Sequence, residues 1–173
     1  MNKIYTGRYT TRTAQPFVVF LIGMRINRLW AVSKWWPVML AMPSMIRDLM
    51  RNPEKGFLGG RLLIEWRGVT MIHYWCSFDD LERFARNSDD LHLPAWKMFY
   101  QRIGKGGSIA IWHETYQVSG NESMYVNMPR HGLGQVMELV PASGQRQSAR
   151  GRLGVLEQAS AEKETANHVK SEP

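Results

Sequence analysis

The spacing of apolar and polar positions predicts a strand followed by a helix in the first third of the chain. Residues 17–26 are almost continuously apolar and rich in Val, Ile and Phe, which is typical of a strand buried on both faces. Residues 29–50 then follow with apolar positions at helical spacing. Because Pro37 and Pro43 lie inside that segment, we expect the helix to be broken into pieces.

The pattern changes to a hairpin and then returns to helix and strand. Two apolar stretches joined by the Arg67–Gly68 turn predict antiparallel strands, and Ser77 is placed to cap a helix that follows them. A second helical stretch and two further strands complete the series. The predicted elements are strands 60–66 and 69–75, helices 77–87 and 91–103, and strands 108–118 and 122–128.

This order predicts an α+β fold with a ferredoxin-like βαββαβ antiparallel sheet. In that topology both helices cover the same face of the sheet, so the opposite face needs another cover. The strands are apolar on both faces, and the chain has no further layer to supply. A second copy of the chain is the natural cover, and we therefore expect a homodimer in which two sheets form a dimeric α/β barrel.

Composition divides the chain into an arm, a domain and a tail. Residues 1–16 are rich in Thr and Tyr and predict an extended arm, and residues 17–142 form the ferredoxin-like domain. Residues 143–173 are polar and mixed in charge, which predicts a largely disordered tail. Within the tail, residues 150–156 are a candidate for a short docked piece.

Charge and cysteine usage exclude several functional classes. Lys and Arg exceed Asp and Glu by 22 to 15, but no basic stripe concentrates the charge, so we expect no nucleic-acid partner. The single cysteine, Cys76, excludes an internal disulfide and fits a reducing cytoplasm. The apolar run at 17–24 is far shorter than the ~20 residues of a membrane span. Membrane contact is not expected, although Trp30, Trp35 and Trp36 leave a surface-lying helix as an alternative.

The stretch IAIWHETYQV places two titratable groups inside an apolar strand. Side chains alternate along a strand, so His113 and Glu114 point to opposite faces. A buried carboxylate requires a cation or hydrogen-bond donors, and Arg25 and Arg61 are the available cations. Glu114 fits either a pocket or a structural ion pair. His113 fits a core position, a proton shuttle or a metal or haem ligand.

Aromatic and polar residues elsewhere extend this candidate pocket. One histidine shares a strand face with a tryptophan, another lies one helical turn before a tryptophan, and a tyrosine shares a strand face with an asparagine. Core packing is the alternative for each of them. These pairs are His73 with Trp75, His92 with Trp96, and Tyr125 with Asn127.

Seven segments together resemble a bacterial and fungal family of undetermined function. They are VVFLIGMRIN, KWWPVMLAMPSM, HYWCSFDDLERFA, LHLPAWKMFYQRIG, IWHETYQV, YVNMPRHGLG and the tail fragment SARGRL. The family is monooxygenase-like and is grouped with dimeric α/β-barrel proteins, including antibiotic-biosynthesis and haem-degrading monooxygenases and aldoxime dehydratases. The resemblance implies the barrel dimer and a cavity between sheet and helices, and it supplies no catalytic roles.

The motifs favour oxidation of a small apolar or aromatic molecule. No glycine-rich dinucleotide loop follows a strand and no metal-ligand spacing is present, so we expect no metal. We prefer oxidation without a cofactor, in which His113 acts as base and Asn127, Trp75 or Trp96 positions the substrate. Haem is the alternative cofactor, with His113 or His92 on the iron and Arg25 near a propionate. A non-catalytic dimeric binding protein also fits.

Overall fold

The computed structural model describes residues 2–13, 15–87 and 106–153, which fall into two compact units. Residues 17–117 form the first unit, and residues 1–16 with 118–173 form the second. The strands are β1 (Tyr5–Arg12), β2 (Phe17–Ile26), β3 (Phe57–Glu65), β4 (Gly68–Trp75), β5 (Ile109–Val118), β6 (Tyr125–Met128) and β7 (Glu138–Pro141), and the helices are α1 (Val32–Arg51) and α2 (Phe78–Arg86).

The first unit has the ferredoxin-like architecture that the sequence predicts. Its four strands lie in the order β3-β4-β2-β5. The first and last strands of the βαββαβ series, β2 and β5, are therefore neighbours in one sheet. β4 pairs antiparallel with both β2 and β3, and Phe20 lies directly opposite His73. The helix predicted at 91–103 lies outside the described residues.

Helix α1 is continuous, and the predicted breaks at its two prolines are wrong. Pro37 and Pro43 both lie inside the helix. One face of α1 packs on the sheet through Trp35, Val38, Met39 and Ile46 and through the fully buried Leu49. Burial of an amphipathic face provides most of the stability of a protein helix. We infer that this packing outweighs the backbone hydrogen bonds that the prolines remove.

Helix α2 begins at the predicted cap. Ser77 precedes the helix in an extended conformation, and its Oγ accepts a hydrogen bond from the backbone N–H of Asp80 at 3.1 Å. Asp79 and Asp80 lie in the first turn, where negative charge stabilises the helix end. The cap fixes where α2 leaves β4, and Leu81 consequently packs against Trp75.

The second unit is a three-stranded sheet in the order β6-β1-β7. The predicted arm therefore contains the central strand β1, and residues 118–142 group with it instead of with the ferredoxin-like domain. The reason is pairing: β1 hydrogen-bonds β6 on one side and β7 on the other, both antiparallel. Neither β6 nor β7 is part of the four-stranded sheet.

Part of the predicted polar tail is held in place by Arg152. Residues 149–153 are helical, and the Arg152 guanidinium is bonded to Glu122 and to the carbonyl oxygens of Arg146 and Gln147, at 2.9 and 3.0 Å. Only 9% of Arg152 is exposed. A docked piece near 150–156 was expected, and its first residues are helical here. Residues 154–173, with their predicted disorder, lie outside the described part of the chain.

Several large apolar side chains of the first unit remain on the surface. Trp30 and Trp66 are 80% and 92% exposed, and Trp36 is half exposed. No helix among the described residues is both long enough and apolar enough to cross a bilayer.

Candidate functional site

Two histidines flank one phenylalanine on the helix-facing side of the four-stranded sheet. His73 on β4 and Phe20 on β2 are cross-strand neighbours, with ring centroids 5.9 Å apart. His113 on β5 lies on the other side of Phe20, at 5.7 Å. The fold therefore brings together two imidazoles that are 40 residues apart in sequence.

His73 is buried among aromatic rings. Its ring lies 5.3 Å from that of Phe57 and 6.4 Å from that of Trp75, measured between centroids. Burial lowers the pKa of His73 from 6.5 to about 4, because an apolar environment disfavours the charged form. Among the described residues neither ring nitrogen has a hydrogen-bond partner. His73 is thus a neutral imidazole with one donor and one acceptor unused.

Trp75 adds a second unused donor beside it. The residue is fully buried, and its ring lies 5.3 Å from Phe57 and 5.4 Å from Phe84. Its Nε1–H has no acceptor in the described part of the chain. Buried polar groups are normally hydrogen-bonded, since leaving one unpaired costs about 1–3 kcal/mol. Unpaired groups on neighbouring aromatic residues are the arrangement expected where a ligand supplies the missing bonds.

A cavity of about 400 Å³ lies between α1 and the strands β3 and β4. Its walls are largely apolar, and Gly60 forms part of them. Gly60 pairs with His73 across the sheet, and a Cβ added to Gly60 would lie 3.1 Å from Cδ2 of His73 and 2.6 Å from the carbonyl oxygen of Ile72. Because Gly60 has no side chain, the imidazole of His73 lies directly behind this part of the cavity wall.

The expectation that His113 and Glu114 are buried is wrong for the single chain. Both are exposed, because β5 lies at the edge of the sheet. The carboxylate of Glu114 accepts a hydrogen bond of 2.6 Å from the hydroxyl of Tyr116. That hydrogen bond raises the pKa of Tyr116, since it stabilises the protonated phenol. Arg25 is also exposed, on the strand face opposite Met24 and the helices.

Two predicted site residues lie in the second unit, where each has a structural partner. The Asn127 side-chain oxygen accepts a hydrogen bond from the backbone N–H of Gly7 at 2.8 Å. Asn127 has a positive φ of 50°, and Gly7 also lies in the left-handed region, at a register shift in β1. The hydroxyl of Tyr125 accepts from the backbone N–H of Gly134 at 2.9 Å. Both side chains thus stabilise the smaller sheet.

The remaining two predicted site residues, His92 and Trp96, lie outside the described residues. Within the described ranges no group of three His, Cys, Asp or Glu side chains is placed to hold a metal ion. Phe20, Phe57 and Gly60 contribute to the site but were not predicted. Gly60 carries the one signal that could have found it, since a glycine inside a strand often marks a close approach.

The fold and the site define a ferredoxin-like α+β protein with a neutral imidazole beside an apolar cavity on the helix-facing side of its sheet. The sequence comparison gives the family. Residues 17–133, more than half of the chain, match the model of the monooxygenase af470-like family, and the chain belongs to that family. This confirms the monooxygenase-like resemblance seen in the sequence; the link to aldoxime dehydratases stays a prediction. No functionally curated protein matches the sequence.

Solved structures similar to this chain are distant from it in sequence. The cofactor-independent oxygenase SnoaB from Streptomyces nogalater is 16% identical, with a TM-score of 0.42 over 60% of this chain and 93% of its own. A dimeric ferredoxin-like protein of unknown function from Bacteroides fragilis is 12% identical, with a TM-score of 0.45 over 59% of this chain and 96% of its own.

Proposed function

We propose that the protein is an oxygenase that inserts one atom of O₂ into an electron-rich aromatic molecule held between the sheet and its helices. Membership of a monooxygenase-like family supports the reaction class. The observation that carries the proposal is His73, a buried neutral imidazole beside an apolar cavity, with neither nitrogen paired within the described ranges. A phenolic substrate offers both a donor and an acceptor to such a ring.

The proposed reaction uses the substrate's own electrons. His113 removes a proton from the phenol or from an activated CH₂ group, and the resulting anion reduces O₂. Two C–H bonds and the O–O bond break, one oxygen atom becomes a carbonyl on carbon, and the other leaves as water. Four electrons pass from the CH₂ carbon to O₂, so the balance CH₂ + O₂ → C=O + H₂O needs no external reductant.

His73 and Trp75 serve this chemistry as positioning residues. The N–H of His73, whose ring lies behind the cavity wall at Gly60, is the proposed donor for the developing oxyanion of the substrate, and the fully buried Trp75 packs beside it. The low pKa of His73 keeps its second nitrogen free of a proton at neutral pH. His113, which contacts the same Phe20 ring, is the proposed base because it is reached from solvent and can pass a proton onward.

Oxygen uptake by the purified chain tests the proposal, with anthrone, which carries an activated CH₂ group, as the probe. We expect uptake above the uncatalysed rate and one atom of ¹⁸O from ¹⁸O₂ in the anthrone product. His113→Ala should abolish the enzymatic rate with the melting temperature retained, whereas His131→Gln in the second unit should keep it. No uptake above the buffer rate with anthrone contradicts the proposal. A lowered melting temperature in His113→Ala, with oxygen uptake by the folded fraction unchanged, supports a structural role.

Haem remains the alternative to a cofactor-free reaction. A stoichiometric Soret band in aerobically purified protein would replace the cofactor-free proposal with a haem-dependent one. A protein that consumes oxygen with no such band supports the cofactor-free reaction.

We also propose that two copies pair through the sheet face opposite the helices. Leu21 on β2 and Ile72 on β4 are cross-strand neighbours on that face and are only half-buried in the single chain. A second sheet packed on this face would cover both of them. Light scattering at micromolar concentration should give a dimer mass, and a monomer mass contradicts the pairing.

A further inference from the structure

The cavity between α1 and the strands β3 and β4 has apolar walls and a cationic mouth. Among the described residues that line it, the charged ones are Arg47 on α1 and Arg61 on β3. Arg47 is exposed, whereas Arg61 is half-buried. The apolar part of the lining includes Met39, Pro43, Ile46, Met50, Leu62 and Met71. Arg61 pairs with Ile72 in the sheet, so its side chain points to the face away from the helices, and Arg47 supplies the charge on the cavity side.

Nearby carboxylates have other partners. Asp48, which follows Arg47 on α1, is bonded to Lys55 at 2.8 Å. Glu65, at the end of β3, accepts a hydrogen bond from the Thr70 hydroxyl. In the described part of the chain Arg47 forms no ion pair. The positive charge of Arg47 at the cavity mouth is thus available to an anion.

We infer that the cavity binds an apolar molecule bearing a carboxylate, with the carboxylate at Arg47 and the hydrocarbon against the methionine-rich wall. Guanidinium groups bind carboxylates through paired N–H donors, and methionine side chains adapt to ligands of irregular shape. A volume of about 400 Å³ suits a molecule of two or three fused rings.

That the bound molecule is the substrate rests on the proposed oxygenase function. The cavity wall at Gly60 lies against His73, so a ring system anchored at Arg47 extends toward the unpaired imidazole. The substrate class that follows is an aromatic carboxylic acid, with its acid group distant from the reacting carbon.

Binding of naphthoate and of its neutral methyl ester to the full chain tests the inference. We expect Arg47→Gln to weaken naphthoate binding about tenfold, the size of one charge-assisted hydrogen bond, and to leave the ester unchanged. Arg51→Gln is the matched control, because Arg51 is exposed on the same helix but does not line the cavity. Equal losses for acid and ester, or equal losses in the two variants, overturn the inference.

The position of the ligand can be read from methionine methyl resonances. Naphthoate should shift the signals of Met39, Met50 and Met71 and leave those of Met128 and Met137, in the second unit, unmoved. Shifts confined to methionines outside the cavity overturn the inference. Naphthoate binding at the cavity without oxygen uptake contradicts only the oxygenase proposal. Oxygen uptake without naphthoate binding contradicts only the carboxylate assignment.

Discussion

The rings of His73 and Trp75 lie 6.4 Å apart, and no nitrogen of either ring has a hydrogen-bond partner among the described residues. Both residues are on β4, the strand that lies between β2 and β3, and both face the helices. Three unused polar atoms in one apolar cluster carry a cost in stability that core packing alone does not explain. Ligand recognition is the role that we propose for them.

Replacing His73 with Gln should remove an acid-dependent loss of stability. Above pH 6.5 the imidazole is neutral in both folded and unfolded chains. Between pH 6.5 and about 4 the unfolded chain takes up a proton that the folded chain does not, so the free energy of unfolding falls with falling pH. The loss should reach about 3 kcal/mol below pH 4. Urea titrations at pH 7 and pH 4 should show it in the wild type, and an equal loss in the variant contradicts it.

Trp75→Ala should lower the free energy of unfolding by about 3–5 kcal/mol, the usual cost of removing a large buried aromatic side chain. Trp75 is fully buried and contacts Phe57 and Phe84. Trp66→Ala is the matched control, since Trp66 is 92% exposed, and should change the value by less than about 0.5 kcal/mol. Denaturant unfolding measures both, and similar effects for the two variants would contradict the burial of Trp75.

Gly23→Ala should destabilise the four-stranded sheet by about 1–3 kcal/mol through overpacking. The indole of Trp112 lies over Gly23, and an added Cβ would meet it, with Cζ2 only 2.7 Å away. At Gly120 an added Cβ has nothing within 4 Å, so Gly120→Ala serves as the control and should be near neutral. Thermal unfolding compares the two, and a neutral Gly23→Ala would show that Trp112 can move aside.

Arg152→Ala should loosen residues 144–153, which Arg152 anchors within the second unit. The guanidinium binds Glu122 and two backbone carbonyl oxygens, so the substitution removes a buried anchor contributing about 2 kcal/mol. Amide exchange over residues 144–153 should become faster. Arg150→Ala, on the exposed side of the same helix, should leave exchange unchanged. Unchanged exchange in Arg152→Ala would mean that other contacts hold the segment.

The four-stranded sheet was predictable because its signals are local. Short apolar runs marked each strand, and Ser77 marked the start of α2. The second sheet was not predictable in this way, because β1 pairs with strands more than 100 residues later, such as Tyr9 with Tyr125, and no local pattern encodes such a pairing. The continuity of α1 through Pro37 and Pro43 likewise depends on its packing against the sheet.

The candidate site was only partly predictable for the same reason. Strand alternation placed His73 with Trp75 correctly on one face, because that rule needs only the spacing of residues. The exposure of His113 depends on its strand lying at the sheet edge, which is a property of the whole fold. Whether a buried nitrogen has a partner depends on every neighbour in space, and spacing alone does not reveal it.

The central place of β1 in the smaller sheet affects how the chain can be shortened. The family match begins at Phe17, and a chain trimmed to that boundary would lose all of β1. β6 and β7 pair with β1 and not with each other, so trimming would leave two strands of four residues each with open edges. Such edges promote aggregation, so an expression boundary at Phe17 should give a chain that self-associates through the smaller sheet.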